Sequence, residues 1–448
     1  MPRKLIVIGG DAAGMSAASN AKRREEDLEV VVLERGDYTS FSACGIPYYV
    51  GDWVHGLDEL VSRTPQEHRD NDLDVRMRHE VLGIDLAART VTVRDLDGGG
   101  ESREGFDELV YATGAEAIRP PIDGADALEP VRTLAQGERF KEAIDGKRGP
   151  AVVVGGGYIG LEMAEALVHR GFDVTVVERS DHIFGTVDPE MADRIQVAAE
   201  GIGVRVLTGT SVDAIETTAD GRPRAVSTSQ GELRADHVVL GTGAKPAVGL
   251  AEAAGLTLGA SGAVAVGADM RCPGHDGIWA AGDCAESTHR LTGEQVNIQL
   301  GTHANKQGRI AGVNIAGGDL RFPGVLGTAI SRICHLEIAR TGLGEAEAAE
   351  AGLDCATATV TANTHAGYWP ERGDITIKLV AERGTGRLVG AQLVGEQTAG
   401  KRIDTLAMAV WTGMSVEELQ WVDLSYAPPV SPTLDPVLVA ARATAKQL

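Results

Sequence analysis

The chain has 448 residues, 43% of them hydrophobic but only 4% aromatic, and a formal net charge of −22. That acidic balance argues against nucleic acid or an anionic membrane surface as a general partner, while leaving room for a small anionic ligand in a local basic pocket. No apolar stretch approaches the roughly 18 residues of a membrane span, so the reading is a cytoplasmic globular protein of about three domains.

The chain opens on KLIVIGGDAAGMSAASNAKRR and LEVVVLERGD, an apolar run, a glycine turn, an amphipathic helix and a second apolar run ending in Glu34. The first run is too short for a signal peptide and reads as a strand. This is a βαβ unit in which Gly9 permits the tight turn, the helix N-terminus faces a pyrophosphate, and Glu34 accepts hydrogen bonds from ribose hydroxyls. In the G-x-G-x-x-G register Gly9 and Gly14 fit, but Asp11 stands at the middle position.

SFSACGIPYY follows, with Cys44 alone among small residues. The cysteines, at 44, 272, 284, 334 and 355, make no C-x-x-C pair, no disulfide framework and no metal-ligand spacing, and no metal site is expected. A helix beginning near Gly45 would lower the Cys44 thiol pKa and favour the thiolate.

LVYATGA is a strand ending at Thr113–Gly114, and the Pro/Gly-rich residues 117–130 lead into a second unit, AVVVGGGYIGLEMAEALVHRGFDVTVVERSD. Here Gly155, Gly157 and Gly160 occupy all three fingerprint positions and Glu178 closes the second strand. VVLGTGAKP is another strand with a Thr-Gly turn. GIWAAGDCAE reads as a strand ending in Gly282–Asp283 and then a helix, with Asp283 at the helix start. From about residue 326 the glycine fingerprints stop, and Asp374–Glu396 reads as a hairpin turning at Gly384–Gly386.

Taken together these motifs resemble the FAD-dependent pyridine nucleotide–disulfide oxidoreductases over essentially the whole chain. The resemblance implies an α/β fold with two Rossmann-like dinucleotide-binding domains and a C-terminal α+β dimerisation domain. The implied boundaries are an FAD-binding domain in two parts, 1–116 and 248–325, an NAD(P)-binding domain at 117–247, and an interface domain at 326–448. It implies FAD contacts from Gly9, Gly10, Ala13, Gly14, Glu34 and Arg35, with Val81, Thr113, Gly114, Arg132, Asp283 and Ala304 completing that site. Gly155, Gly157, Tyr158, Ile159, Gly160, Glu178 and Gly243 become contacts of NADH or NADPH. Glu178 favours the paired ribose hydroxyls of NADH, whereas Arg179 beside it could meet a 2′-phosphate.

Cys44 falls where the family carries its redox sulfur, but position 49, where a second cysteine would stand, is Tyr. The single cysteine and the segment DLSYAPPVSPTLDPVLVAA are most similar to the coenzyme A–disulfide reductases and the related polysulfide and persulfide reductases. That likeness implies a homodimer in which Tyr426 and Tyr368 reach the sulfur across the interface and help protonate a leaving thiolate. It also implies thiol-substrate contacts from Ser16, Asn20 and Arg23 along one helix face, and from Ser40 and His303. Ala43, Asp72 and Leu434 stand where the group can carry an asparagine or a basic side chain. The substrate therefore stays open between coenzyme A disulfide, a smaller or less anionic disulfide, and polysulfide. A NADH oxidase or peroxidase cycling Cys44 through a sulfenic acid is the alternative, although Ala12 replaces the histidine those enzymes typically carry in the first glycine turn. A low-turnover flavin redox sensor is a third reading, against which the complete second fingerprint speaks.

Overall fold

The computed structural model describes residues 2–448. Its first unit is a five-stranded parallel sheet ordered Ile278–Ala280, Glu108–Tyr111, Lys4–Ile8, Glu29–Glu34, Asp74–Met77. Lys4–Ile8 and Glu29–Glu34 are buried almost throughout, because helices or further strands cover both faces of the sheet. The second unit repeats the scheme with four parallel strands, Arg205–Leu207, Asp173–Val177, Pro150–Val154 and His237–Leu240. Each unit also carries a three-stranded antiparallel meander, spanning His79–Gly105 and Val212–Arg234 respectively. The chain passes into the second unit and back along two paired antiparallel strands, Ala115–Ala117 and Ala244–Pro246.

The third unit is a five-stranded antiparallel sheet ordered Ala329–Ile333, Leu336–Gly342, Leu388–Gly395, Asp374–Glu382, Cys355–Asn363. The helices Arg402–Thr412 and Pro436–Ala445 pack their apolar residues against it. The expected hairpin is present as Asp374–Glu382 paired with Leu388–Gly395. The helix expected directly after Asp283 does not form. The chain instead enters a small hairpin, Ser287–Thr288 with Gln295–Val296, and the Asn297 side-chain amide donates to the Asp283 and Ala285 carbonyls, holding that stretch in a turn. The nearest helix downstream is Gly301–Ile315.

That helix crosses the first fingerprint helix, Ala12–Lys22, backbone against backbone. A Cβ at Gly308 would lie 2.1 Å from the Ala13 carbonyl oxygen, and one at Gly312 would lie 2.2 Å from that of Ala17. The contact faces carry glycine and alanine because nothing larger lets two helix backbones approach so closely.

The second and third units are locked by a buried cation. Lys378, 3% exposed, meets Asp188 at 2.7 Å, Glu190 at 2.6 Å and Glu345 at 2.7 Å. Three carboxylates hold the Lys378 ammonium well above its ordinary pKa against the opposing effect of burial, so the cluster is a satisfied ion network.

Gly308→Ala should drive the two crossing helices apart and lower stability by about 2 kcal/mol or more, the range for overpacking a rigid contact. Urea denaturation followed by circular dichroism checks it. An unchanged midpoint would mean that the helices can separate freely.

Candidate active site

The two parallel sheets end in the same local device. Glu34 accepts the Gly10 N–H at 2.7 Å and the Gly36 N–H at 2.6 Å; Glu178 accepts the Gly156 N–H at 2.7 Å and the Ser180 N–H at 2.8 Å. Two amides fix each carboxylate while leaving lone pairs for a ribose diol. Gly9 has φ +106°, and a side chain there would meet the Ala112 carbonyl oxygen at 2.1 Å; Gly155 repeats this against Gly241. Gly14 and Gly160 lie just as tightly on the Gly9 and Gly155 carbonyls, whose oxygens would stand 1.9 Å from any added Cβ. No side chain caps either fingerprint helix, so their first turns offer N–H groups to a phosphate. A Cβ at Gly157 would meet nothing within 4 Å, which gives a pyrophosphate room to approach. At this turn Tyr158 packs on Phe184 with ring centres 4.2 Å apart, and Ile159 is exposed.

Around the first turn, Ala13, Ala281 and Ala304 form a cluster of small side chains. Arg132 lies 3.3 Å from Asp283 and donates its Nε–H to the Ala115 carbonyl at 2.9 Å. Burial raises the Asp283 pKa, with Arg132 opposing. Thr113 is tied to the Ala247 carbonyl at 2.7 Å, while the Cα atoms of Gly114 and Gly243 face open or lightly contacted space. Arg35 is exposed just beyond Glu34. Val81 sits in the core with Ile8 and Leu33, so it can offer a ligand only its backbone.

The Cys44 loop is stitched to this turn. The Thr39 hydroxyl and the Ser40 N–H both donate to the Gly10 carbonyl, and the Phe41 N–H donates to Asp11 Oδ1 at 3.1 Å. Ser40 has a left-handed backbone, φ +49°, and is held there from several sides. Its hydroxyl lies 2.9 Å from Nε2 of buried His68, and its carbonyl accepts the Ser62 N–H. Cys44 then lies in a single 3-10 turn, Ala43–Gly45, leading into the helix Ile46–Val50.

The helix does begin where expected, but the thiol is not acidified. Burial pushes the Cys44 pKa up, and the Glu162 and Asp283 carboxylates add to that despite a lowering backbone contact. A five-residue helix has too little aligned dipole to overcome two nearby acids. Cys44 is nonetheless exposed, whereas Cys272, Cys284 and Cys334 are buried. Solvent thus reaches one side of the residue, while the protein around its sulfur disfavours the anion.

Glu162 escaped the sequence reading. It projects from the second fingerprint helix, Tyr158–His169, and accepts the Ser331 hydroxyl at 2.7 Å, with burial pushing its carboxyl up to about 6. Its only sequence signal was a pair of acids, Glu162 and Glu165, one turn apart on a mostly apolar helix. His68, the partner of Ser40, had no signal at all.

The substrate residues expected along the first helix are bonded locally. Ser16 donates to the Asn305 carbonyl at 2.9 Å, Asn20 to the Ser16 carbonyl at 2.8 Å, and Arg23 to the Ser19 carbonyl at 3.0 Å. His303, on the helix packed against them, lies 3.3 Å from the Ile298 carbonyl, and burial lowers its pKa. Ser16 and His303 therefore sit on the two crossing helices, while Ser40 sits on the cysteine loop.

The structure brings Tyr368 and Tyr426 together on the third unit. Both are exposed, and the Tyr426 hydroxyl beside it raises the Tyr368 pKa. Arg402 gathers the two loops that carry them. It donates to the Thr364 carbonyl at 2.9 Å and the Val430 carbonyl at 3.3 Å, and pairs with Asp435 at 3.0 Å.

Residues 3–308 match the family model described as pyridine nucleotide-disulphide oxidoreductase, and residues 328–437 match its dimerisation domain. The chain belongs to the pyridine nucleotide-disulphide oxidoreductase family and is an oxidoreductase with that family's dimerisation domain. Among its relatives is a protein of Pyrococcus horikoshii described as an NAD(P)H coenzyme A polysulfide/persulfide reductase, 37% identical over 99% of this chain and 98% of its own. A NADH oxidase of Methanocaldococcus jannaschii is 34% identical over 99% of both. A solved structure of a NAD-dependent persulfide reductase from A. fulgidus superposes with a TM-score of 0.94 at 39% identity, over 98% of this chain and 82% of that one.

The raised Glu162 carboxyl has a defined consequence for stability. The folded state binds this proton more tightly than an unfolded chain, so stability falls as pH rises from the ordinary value of 4.5 through about 6. Above that window the ionised group costs about 2 kcal/mol, given roughly 1.4 kcal/mol for each tenfold gain in proton affinity. Glu162→Gln should therefore raise the thermal midpoint at pH 8 and leave it near wild type at pH 4.5. An equal difference at both pH values would contradict the raised pKa.

Proposed function

We propose that the chain is an FAD-dependent NAD(P)H oxidoreductase that reduces a low-molecular-weight disulfide, persulfide or polysulfide through Cys44. On this reading it works as a cytoplasmic homodimer, with domain boundaries at 116, 247 and 325. The observation that carries the reading is an exposed lone sulfur on a loop hydrogen-bonded directly into the first dinucleotide turn. The relatives named as persulfide and polysulfide reductases support the substrate class.

The first turn, with Glu34, Arg132 and Asp283, would hold FAD, and the second, with Glu178, would hold the nicotinamide dinucleotide. Two amides hold Glu178 with lone pairs still free, and its acceptor-only carboxylate favours the diol of NADH over a 2′-phosphate, while exposed Arg179 leaves some use of NADPH. Bound FAD supplies two-electron transfer between nicotinamide and sulfur. Cys44, once deprotonated, attacks one sulfur of the disulfide. That S–S bond breaks, a Cys44 mixed disulfide forms, and the leaving thiolate takes a proton. Two electrons then cleave the mixed disulfide, releasing the second thiol and restoring Cys44. Tyr426, with Tyr368 beside it, is the proton donor from the partner subunit.

A substrate panel tests this: NADH and NADPH against coenzyme A disulfide, smaller disulfides, polysulfide, peroxide and oxygen. Cys44→Ser should lower disulfide- or polysulfide-dependent turnover by about 100-fold or more, as expected for loss of a covalent nucleophile. Tyr426→Phe should lower it by about tenfold, the smaller effect of losing a proton donor. Oxygen or peroxide outpacing every sulfur substrate would instead favour an oxidase, as in the Methanocaldococcus relative.

A further inference from the structure

Asp11 stands where a dinucleotide fingerprint carries glycine, and the chain holds its own comparison. In the second turn the corresponding residue is Gly157, beyond which a side chain would meet nothing within 4 Å. The loop after each closing acid folds back onto the carbonyl of the residue before it. Phe184 N–H donates to the Gly156 carbonyl at 2.8 Å, and Ser40 N–H donates to the Gly10 carbonyl at 3.2 Å. The first turn then adds one bond that the second cannot make, from the Phe41 N–H to Asp11 Oδ1 at 3.1 Å.

An aspartate at a helix N-cap ordinarily accepts from the next turn of its own helix. Asp11 makes no such capping bond: beyond a contact with the adjoining Ala12 N–H, its carboxylate accepts from the loop at Phe41. It is kept there at an electrostatic cost. Burial pushes its carboxyl up to about 6 in spite of the Phe41 N–H, and Glu34 and Asp283 add to the rise. A buried acid among acids, at a turn suited to a pyrophosphate, brings the turn no benefit. Its benefit lies in the contact it makes.

The geometry points to Asp11 as a positioning residue for the redox sulfur: its carboxylate pins the Phe41 amide, so that the loop carrying Cys44 is registered against the dinucleotide turn. This rests on the proposed role of Cys44. The residue acts through the backbone of its neighbours and touches no reacting atom.

Asp11→Gly restores the fingerprint glycine but deletes the acceptor, whereas Asp11→Asn keeps an oxygen at the same place. Two measurements on the purified holoenzyme test the inference. The first is amide hydrogen exchange of a peptide covering Phe41. The second is the ratio of disulfide turnover to NADH–ferricyanide turnover, per bound FAD, with Cys44→Ser in parallel. Asp11→Gly should speed Phe41 exchange and lower the ratio by about tenfold or more, the size of a misplaced reacting group, while Asp11→Asn stays within about twofold of wild type. Wild-type exchange and ratio in Asp11→Gly would overturn the inference, as would an Asn variant that behaves like the Gly one. If Cys44→Ser itself retained disulfide turnover, the reductase reading would fall, and Phe41 exchange alone would still decide whether Asp11 holds the loop.

Discussion

The backbone of Gly10 is bonded through both its N–H and its carbonyl, and much of the site depends on it. Its N–H is held by Glu34 and its carbonyl by Thr39 and Ser40, so the two successive peptides that meet at Gly10 join the sheet, the closing acid and the cysteine loop. Those bonds have to form inside a turn where Gly9 already lies against the Ala112 carbonyl and Gly14 against the Gly9 carbonyl. Close packing therefore removes the freedom that would let the loop drift. The second unit builds the same pair of bonds at Gly156, with Glu178 on its N–H and Phe184 on its carbonyl, but its loop carries no sulfur. One solution to holding a dinucleotide turn has been used twice, and in the first copy the returning loop also carries the exposed Cys44.

Crossing helices extend this constraint to the far side of the site. Gly308 and Gly312 let the helix Gly301–Ile315 rest on the backbone of Ala12–Lys22, which brings Ala304 to Ala13 and His303 to the same end as Ser16. Side-chain volume is excluded from both elements for one reason: polar backbone has to be reached from outside. The small, aliphatic character of the composition thus has a local cause at the site.

Periodicity and glycine spacing made both βαβ units legible, together with their closing acids, the terminal hairpin and the cysteine loop. Such features are local, since a strand, a tight turn and a capped or uncapped helix are decided within about 30 residues. What could not be read was set by side-chain contacts that no pattern of spacing announces. The helix predicted after Asp283 lost to a hairpin braced by Asn297. The acidified thiol lost to burial and then to Glu162, which arrives from another unit. Asp11 was visible only as a departure from pattern, and its partner Phe41 could be identified only once the loop had been folded back.

The character of the sulfur is consequently a property of several units at once. Asp283 lies in the turn after the edge strand of the first parallel sheet and Glu162 in the second unit, and both add to the rise that burial gives the Cys44 pKa. Glu162 is in turn fixed by Ser331 of the third unit, and Glu165, one turn further along the same helix, accepts the Cys334 N–H at 2.9 Å. Lys378 clamps those two units together through Asp188, Glu190 and Glu345. Any motion of the second unit against the third has to strain these buried polar contacts, and it would change the distance between one carboxylate and the thiol. On the role proposed for Cys44 the thiolate is the reactive form, and burial together with Glu162 and Asp283 disfavours it. The third unit, whose loops carry the tyrosines, thereby braces a carboxylate that acts on a cysteine of the first unit.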